Sequence, residues 1–306
     1  MSTGFNVITL AWLILATPSH PASAGTAEKL RVVASFSILG DMAARIGGDH
    51  IELVTLVGPD GDAHAFTPRP SDAQVVGKAD LMVVNGLGFE GWLGRLVEAS
   101  GSKARIVVAA ENVRPLETLA GHDQSESQGS RVDPHAWQDV RNAIDYVTNI
   151  TRALCNADRP GCENYKANGA TYVAELEALD IEIRRAIDTV PHVRRTVISN
   201  HDAFGYFERA YAITFLAPEG VSTEAEASAA DIAKLIRQIK AGNASAIFLE
   251  NITDPRLIEQ IGRDTGMRPS GPLYSDALSD PSGPAATYVD MMRHNVGALI
   301  RAMTGS

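Results

Sequence analysis

The sequence is poor in cysteine, with two in 306 residues, and short of positive charge, with 27 Lys and Arg against 37 Asp and Glu. A formal charge of −10 leaves no basic surface for phosphates, which excludes nucleic acid as a partner. Beyond the N-terminal segment no apolar run reaches the roughly 18 residues that a transmembrane helix needs. No HExxH or comparable base motif is present, which weighs against a zinc hydrolase. What is there is ordinary for a globular chain: 45% apolar and 21% charged residues, in a length that suits one large domain or two medium lobes.

The N-terminus carries a mostly apolar run from Val7 to Ala16, then small and polar residues ending in Ala22-Ser23-Ala24. That layout reads as a secretory signal peptide over 1–24, although no Lys or Arg precedes Lys29. With no cysteine near that point, the expected product is an anchor-free chain in a Gram-negative periplasm. The cysteines, Cys155 and Cys162, flank NADRPG. In an oxidising compartment this spacing favours a disulfide over two free thiols, and a closed zinc site would need four ligands.

From residue 28 the chain alternates strand and helix. RVVASFS (31–37), IELVTLV (51–57), LMVVN (81–85) and ARIVVA (104–109) read as strands, with helices near 38–47, 70–79 and 89–100. Such alternation implies right-handed βαβ units and parallel sheets. Tyr165, Tyr172, Leu176, Leu179, Ile183, Ala186 and Val190 recur as one apolar stripe, which predicts a long helix over 163–190 stopped by Pro191. Strands then return near 196–199, 213–216, 246–250 and 273–275, with helices near 203–211, 229–241, 255–265 and 285–303. The expected fold is α/β: two lobes over 25–160 and 192–306, each a mainly parallel sheet flanked by helices, joined by one rigid helix over 161–191. The segment 113–132 is polar and acidic, with little to bury, and reads as a loop.

Chemistry concentrates on four residues. His64, His201 and Asp276 each follow a strand, and His135 follows the acidic loop. In open α/β sheets ligands bind beyond the carboxyl ends of the strands. Three imidazoles and one carboxylate suit zinc and complete a tetrahedron. His50, His192 and His294 read as surface residues, and His122 sits in the acidic loop.

The motifs around these residues resemble the zinc/manganese solute-binding receptors of ABC transporters, known as cluster A-I. GPDGDAHAFTPRPSD resembles the segment of the first ligand, DPHAWQD of the second, SNHDAFGYFERAY of the third and GPLYSDALSD of the distal Asp; VSTEAEASAADI and FLEN also match. The resemblance covers nearly the whole mature chain. It implies a binding protein rather than an enzyme, with zinc in the inter-lobe cleft on His64, His135, His201 and Asp276, and with delivery to a membrane permease. His201 stands where manganese-specific members carry a carboxylate, so zinc is expected, with a manganese or mixed receptor as the alternative. One zinc subgroup carries a His-rich loop that here shrinks to a short acidic segment, over 115–131, with only His122. Docking of a periplasmic metallochaperone there is one reading of that segment, and a plain surface loop the other. Asp62, Asp202 and Glu250 are candidates to orient the ligands, Trp137 to wall the site, and the chain is expected to be a monomer.

Overall fold

The computed structural model describes residues 1, 28–118, 131–242 and 244–305. The segment read as a signal peptide, apart from Met1, and most of the acidic loop including His122 lie outside the described residues. Among the described residues no helix is long and apolar enough to cross a membrane.

The first lobe is built on β1 (Leu30–Phe36), β2 (Ile51–Val57), β3 (Leu81–Val84) and β4 (Arg105–Val108), all parallel in the order β2-β1-β3-β4. The inner strands are the continuous apolar runs: all of β3 and the last five residues of β1 are buried. The edge strands β2 and β4 mix buried and exposed positions, as strands with one free edge do. Helices α1 (Ser37–Gly47), α2 (Pro70–Lys78), α3 (Leu93–Ser100) and α4 (Val140–Ala157) flank this sheet, and a short antiparallel pair, β5 (Leu116–Thr118) with β6 (Arg131–Asp133), follows it.

α5 (Cys162–Ile187) leads into the second lobe. At about 1.5 Å per residue its 26 residues span about 39 Å. Its buried stripe, from Tyr165 through Leu176 to Ile187, keeps one face on the core throughout. A Cβ added at Gly169 would lie 2.5 Å from the Thr151 hydroxyl, so glycine lets α5 cross α4 at short range. The Cys155–Cys162 disulfide, seven residues apart, ties the end of α4 to the start of α5.

The second sheet comprises β7 (Thr196–Ile198), β8 (Thr214–Leu216), β9 (Ala246–Glu250) and β10 (Ser270–Leu273), parallel in the order β10-β9-β7-β8. It is flanked by α6 (Gly205–Tyr211), α7 (Ala229–Lys240), α8 (Arg256–Thr265) and α9 (Tyr288–Thr304). α5 packs on α1 and α4 on one side and on α6 and α9 on the other. One apolar cluster accordingly runs through both lobes, while a small separate one, with Ile198, Leu235, Ile239, Ile247, Ile258 and Ile261, lies under α7 and α8.

The structure departs from the sequence expectation in several places. The segment 113–132, expected as a loop, contains β5 and the start of β6, which pair with each other. The 18-residue α4 was not anticipated, yet Val140, Ala143, Tyr146, Val147, Ile150 and Leu154 form a helical stripe, and the Asp139 carboxylate caps it by accepting the Arg141 N–H at 3.0 Å. α3 begins at Leu93 instead of residue 89, because Gly86, Leu87 and Gly88 all adopt positive φ (86°, 55° and 82°) and turn the chain across the top of the sheet.

Candidate metal centre

His64 lies on the loop from β2 to α2, and its turn is braced from two sides. The Asp62 carboxylate accepts the His64 N–H at 2.9 Å, and the Trp92 indole donates to the Ala63 carbonyl at 2.8 Å. His135 follows β6, and there Asp133 does two jobs with one oxygen: Oδ1 takes the His135 backbone N–H at 2.9 Å and lies 2.8 Å from ring Nδ1. Each histidine thus ends an Asp-x-His triplet with the same backbone bond. Only Asp133 also reaches the ring.

His201 follows β7 by three residues. Glu250, the last residue of β9, accepts the N–H groups of Asn200 and His201 through Oε1, at 2.7 and 3.0 Å. Its Oε2 lies 2.7 Å from His201 Nδ1, close but not aligned as a hydrogen bond. Asp276 follows β10 and is clamped by the opposite lobe. Trp137 Nε1 and Gln138 Nε2 both donate to the Ser275 carbonyl, at 2.9 and 2.8 Å, and Leu278 N–H donates to the Ser37 hydroxyl at 2.9 Å.

These constraints bring the four sequence candidates together. His64, His135, His201 and Asp276 are all buried, and one ligand atom from each lies within 4.8 Å of the other three. The His64 and His135 Nε2 atoms are 3.2 Å apart. Asp276 Oδ2 is 3.3 Å from His64 Nε2 and 3.2 Å from His201 Nε2, and Oδ1 is 3.6 Å from His135 Nε2. A tetrahedron with metal–ligand bonds of about 2.0–2.1 Å has edges of about 3.3–3.4 Å. His201 Nε2 and both Asp276 oxygens are buried with no hydrogen-bond partner, a costly arrangement that a cation at the centre would satisfy.

The electrostatics match. Burial alone would lower His135, but Asp276 and Asp133 outweigh it and raise the ring from 6.5 to about 9. His201 is likewise disfavoured by burial and carried well above the imidazole range by Glu250 and Asp276. Burial would raise Asp276, yet the two imidazoles hold it well below an ordinary carboxylate. Protons and a metal ion therefore compete for the same nitrogens.

Around the four candidate ligands stands an aromatic wall. Phe89 meets His64 edge-on at 4.6 Å, and Trp137 meets His135 at 5.3 Å. Of the residues expected to orient ligands, Glu250 touches a ligand ring and Asp62 holds a ligand backbone. Asp202 donates its N–H to the Gly220 carbonyl, and its carboxylate makes no hydrogen bond or ion pair to a ligand ring among the described residues. Asp133 was missed, although its place two before His135, as Asp62 is to His64, was a signal. His50 and His192 are exposed, and His294 bonds the Pro272 carbonyl.

A family model described as zinc-uptake complex component A, periplasmic, matches residues 32–302. The manganese-binding lipoprotein MntA of Halalkalibacterium halodurans is 32% identical over 98% of both chains. An iron ABC transporter substrate-binding lipoprotein, MtsA of Streptococcus pyogenes, is 30% identical over 93% of this chain and 92% of its own. Among solved structures, the periplasmic zinc-binding protein TroA of Treponema pallidum superposes with a TM-score of 0.82 at 29% identity, covering 90% of this chain and 99% of that one.

Proposed function

The chain belongs to the family of zinc-uptake complex component A, the metal-binding receptors of ABC transporters and not enzymes, and we propose that it captures one zinc ion and hands it to a membrane permease. The ligands in this reading are His64, His135, His201 and Asp276, two from each lobe, with the lobes taken as 25–160 and 192–306 around a linking helix over 161–191. The observation that carries it is the buried cluster of unpartnered ligand atoms at tetrahedral spacing. Three nitrogens and one oxygen favour zinc over manganese, which prefers more oxygen ligands. The second reading, manganese, draws on the two free oxygens of Asp276, since a bidentate carboxylate would raise the coordination number, and on the relatives named for manganese and iron.

Metal analysis of the purified protein, followed by a zinc-against-manganese competition titration, decides between them. Zinc should bind at least about 100-fold more tightly, following the order of divalent affinities at nitrogen sites. Manganese that competes within about tenfold overturns the zinc assignment.

In the same proposal the protein is processed after Ala24 and works in the periplasm as a monomer. The relatives MntA and MtsA are named as lipoproteins, which runs against the expectation of an anchor-free product. An intact mass starting at Gly25 in a periplasmic fraction supports processing after Ala24, and an unprocessed product overturns it. A metallochaperone docking on 115–131 would show as faster zinc loading that is lost when those residues are deleted.

A further inference from the structure

The four ligands are not equally enclosed. His135, His201 and Asp276 have no exposed surface, whereas His64 keeps 6%. Any ion that enters or leaves must therefore pass on the His64 side. That side of the cleft is bounded by the second lobe's segment 220–224, and two cavities flank the segment. One, of about 430 Å³, is lined by His64, Phe89, Pro134, Val221, Ser222 and Glu224. The other, of about 570 Å³, is lined by Asp62, Glu219, Thr223, Glu226 and Asp254. The segment between them is tied to the His64 turn by one side-chain bond, Thr223 Oγ1 donating to Asp62 Oδ2 at 2.7 Å. The other oxygen of Asp62 holds the N–H groups of His64 and Ala65, at 2.9 and 3.3 Å. One carboxylate thus joins the backbone of the outermost ligand to the opposite lobe.

We propose that the Thr223–Asp62 bond is a latch that sets how fast metal escapes past His64, with both residues acting as positioning residues rather than ligands. The inference rests on the reading of His64 as a zinc ligand. When the hydroxyl lets go, the 220–224 segment is freed from the His64 turn, the two cavities join, and water reaches the one ligand that is already at the rim. The carboxylates of Glu219, Glu224 and Glu226 line that opening and favour a cation within it.

Thr223→Val tests this, because it keeps the side chain's branched shape, exchanges the hydroxyl for a methyl group and leaves the bonds from Asp62 to the His64 turn in place. Zinc dissociation into excess chelator should accelerate about tenfold, the change expected for losing one hydrogen bond to a charged group. Thr223→Ser should restore the parent rate. Cobalt substituted for zinc should give the same visible spectrum in the parent and in Thr223→Val, since no ligand changes. An unchanged dissociation rate in Thr223→Val, or equal acceleration in the Val and Ser variants, overturns the latch. An altered cobalt spectrum also overturns it, for the residue would then be shaping the ligand set itself. A parent protein that retains no zinc fails earlier and removes the metal reading along with the latch.

Discussion

The two lobes solve one problem with different numbers of residues. Each buries a glutamate that gathers backbone N–H groups where a strand gives way to a loop: Glu90 takes Asn85 and Gly86, at 2.6 and 3.2 Å, and Glu250 takes Asn200 and His201, at 2.7 and 3.0 Å. In the first lobe Glu90 goes no further than Ser35, and a separate residue, Asp133, reaches the ring of His135. In the second lobe Glu250 does both, since its remaining oxygen lies against His201 Nδ1. The first lobe thus uses two carboxylates, Glu90 for the loop after β3 and Asp133 for the backbone and ring of His135, where the second uses Glu250 alone. The second lobe also supplies the one carboxylate of the four-residue cluster, Asp276, whose neighbours Ser275 and Leu278 are gripped by the first lobe.

The largest expected effect follows from that asymmetry. Asp276→Ala removes the single carboxylate charge of the cluster that would offset the ion. Zinc affinity should fall by at least about 1,000-fold, or ~4 kcal/mol. A competition titration in which this variant binds as tightly as the parent would remove Asp276 from the site.

Next comes the contrast between Glu250 and Asp133. Residues that orient metal ligands typically contribute about 10–100-fold in affinity. Glu250→Gln should lie near about 100-fold and Asp133→Asn near about tenfold, because Glu250 holds the N–H of Asn200 as well as that of His201, whereas Asp133 holds the N–H of His135 alone. Equal losses in chelator-buffered titrations would mean that the lobes are not organised differently after all.

The sequence showed some of this and hid the rest for physical reasons. The inner strands β1 and β3 are unbroken apolar runs and the stripe of α5 is long, so both stood out. β10 is an edge strand containing Gly271 and Pro272, and it ends at Leu273, earlier than its apolar pattern implied. α4 was masked by its position straight after a polar segment and a ligand motif. The four candidate ligands were named from their motifs, and the structure brings those four side chains together. Glu90 was not, because it sits in a stretch that reads as helix and is turned inward only by the left-handed backbone at Gly86 to Gly88.

Proton competition gives a smaller, graded effect. The folded pKa of His135, about 9, lies above the unfolded value of 6.5. Its protonation therefore stabilises the metal-free fold fully below pH 6.5, and that contribution is lost as pH rises through about 9. Zinc needs the neutral ring, so affinity should rise by at least about tenfold per pH unit between pH 6.5 and 8. An unshifted histidine would give a nearly flat profile over that range. Calorimetry at pH 7 in two buffers of different ionisation enthalpy should detect at least one proton released per zinc. No release would show that Asp276 and Asp133 do not hold the ring protonated.

The last contrast sets the two ends of the first lobe against each other. His64 and His135 lie at one end. The Cys155–Cys162 bond lies at the other, since Ala157 beside it lines a groove with Leu30 and Arg31 at the start of β1. Closing a loop of that length should contribute roughly 2.5 kcal/mol by restricting the unfolded chain. The junction keeps a second tie without it, the Tyr165 hydroxyl donating to Asp158 at 2.6 Å, so the double Cys→Ser variant should still fold. Its melting temperature should drop by about 5–10 °C, while zinc affinity stays within about threefold of the parent. Thermal denaturation with and without zinc measures both quantities on one sample. A loss of affinity beyond about tenfold would mean that the packing of α4 on α5 transmits strain to the ligand loops. The comparison between lobes would then have to include the helix junction as part of the site.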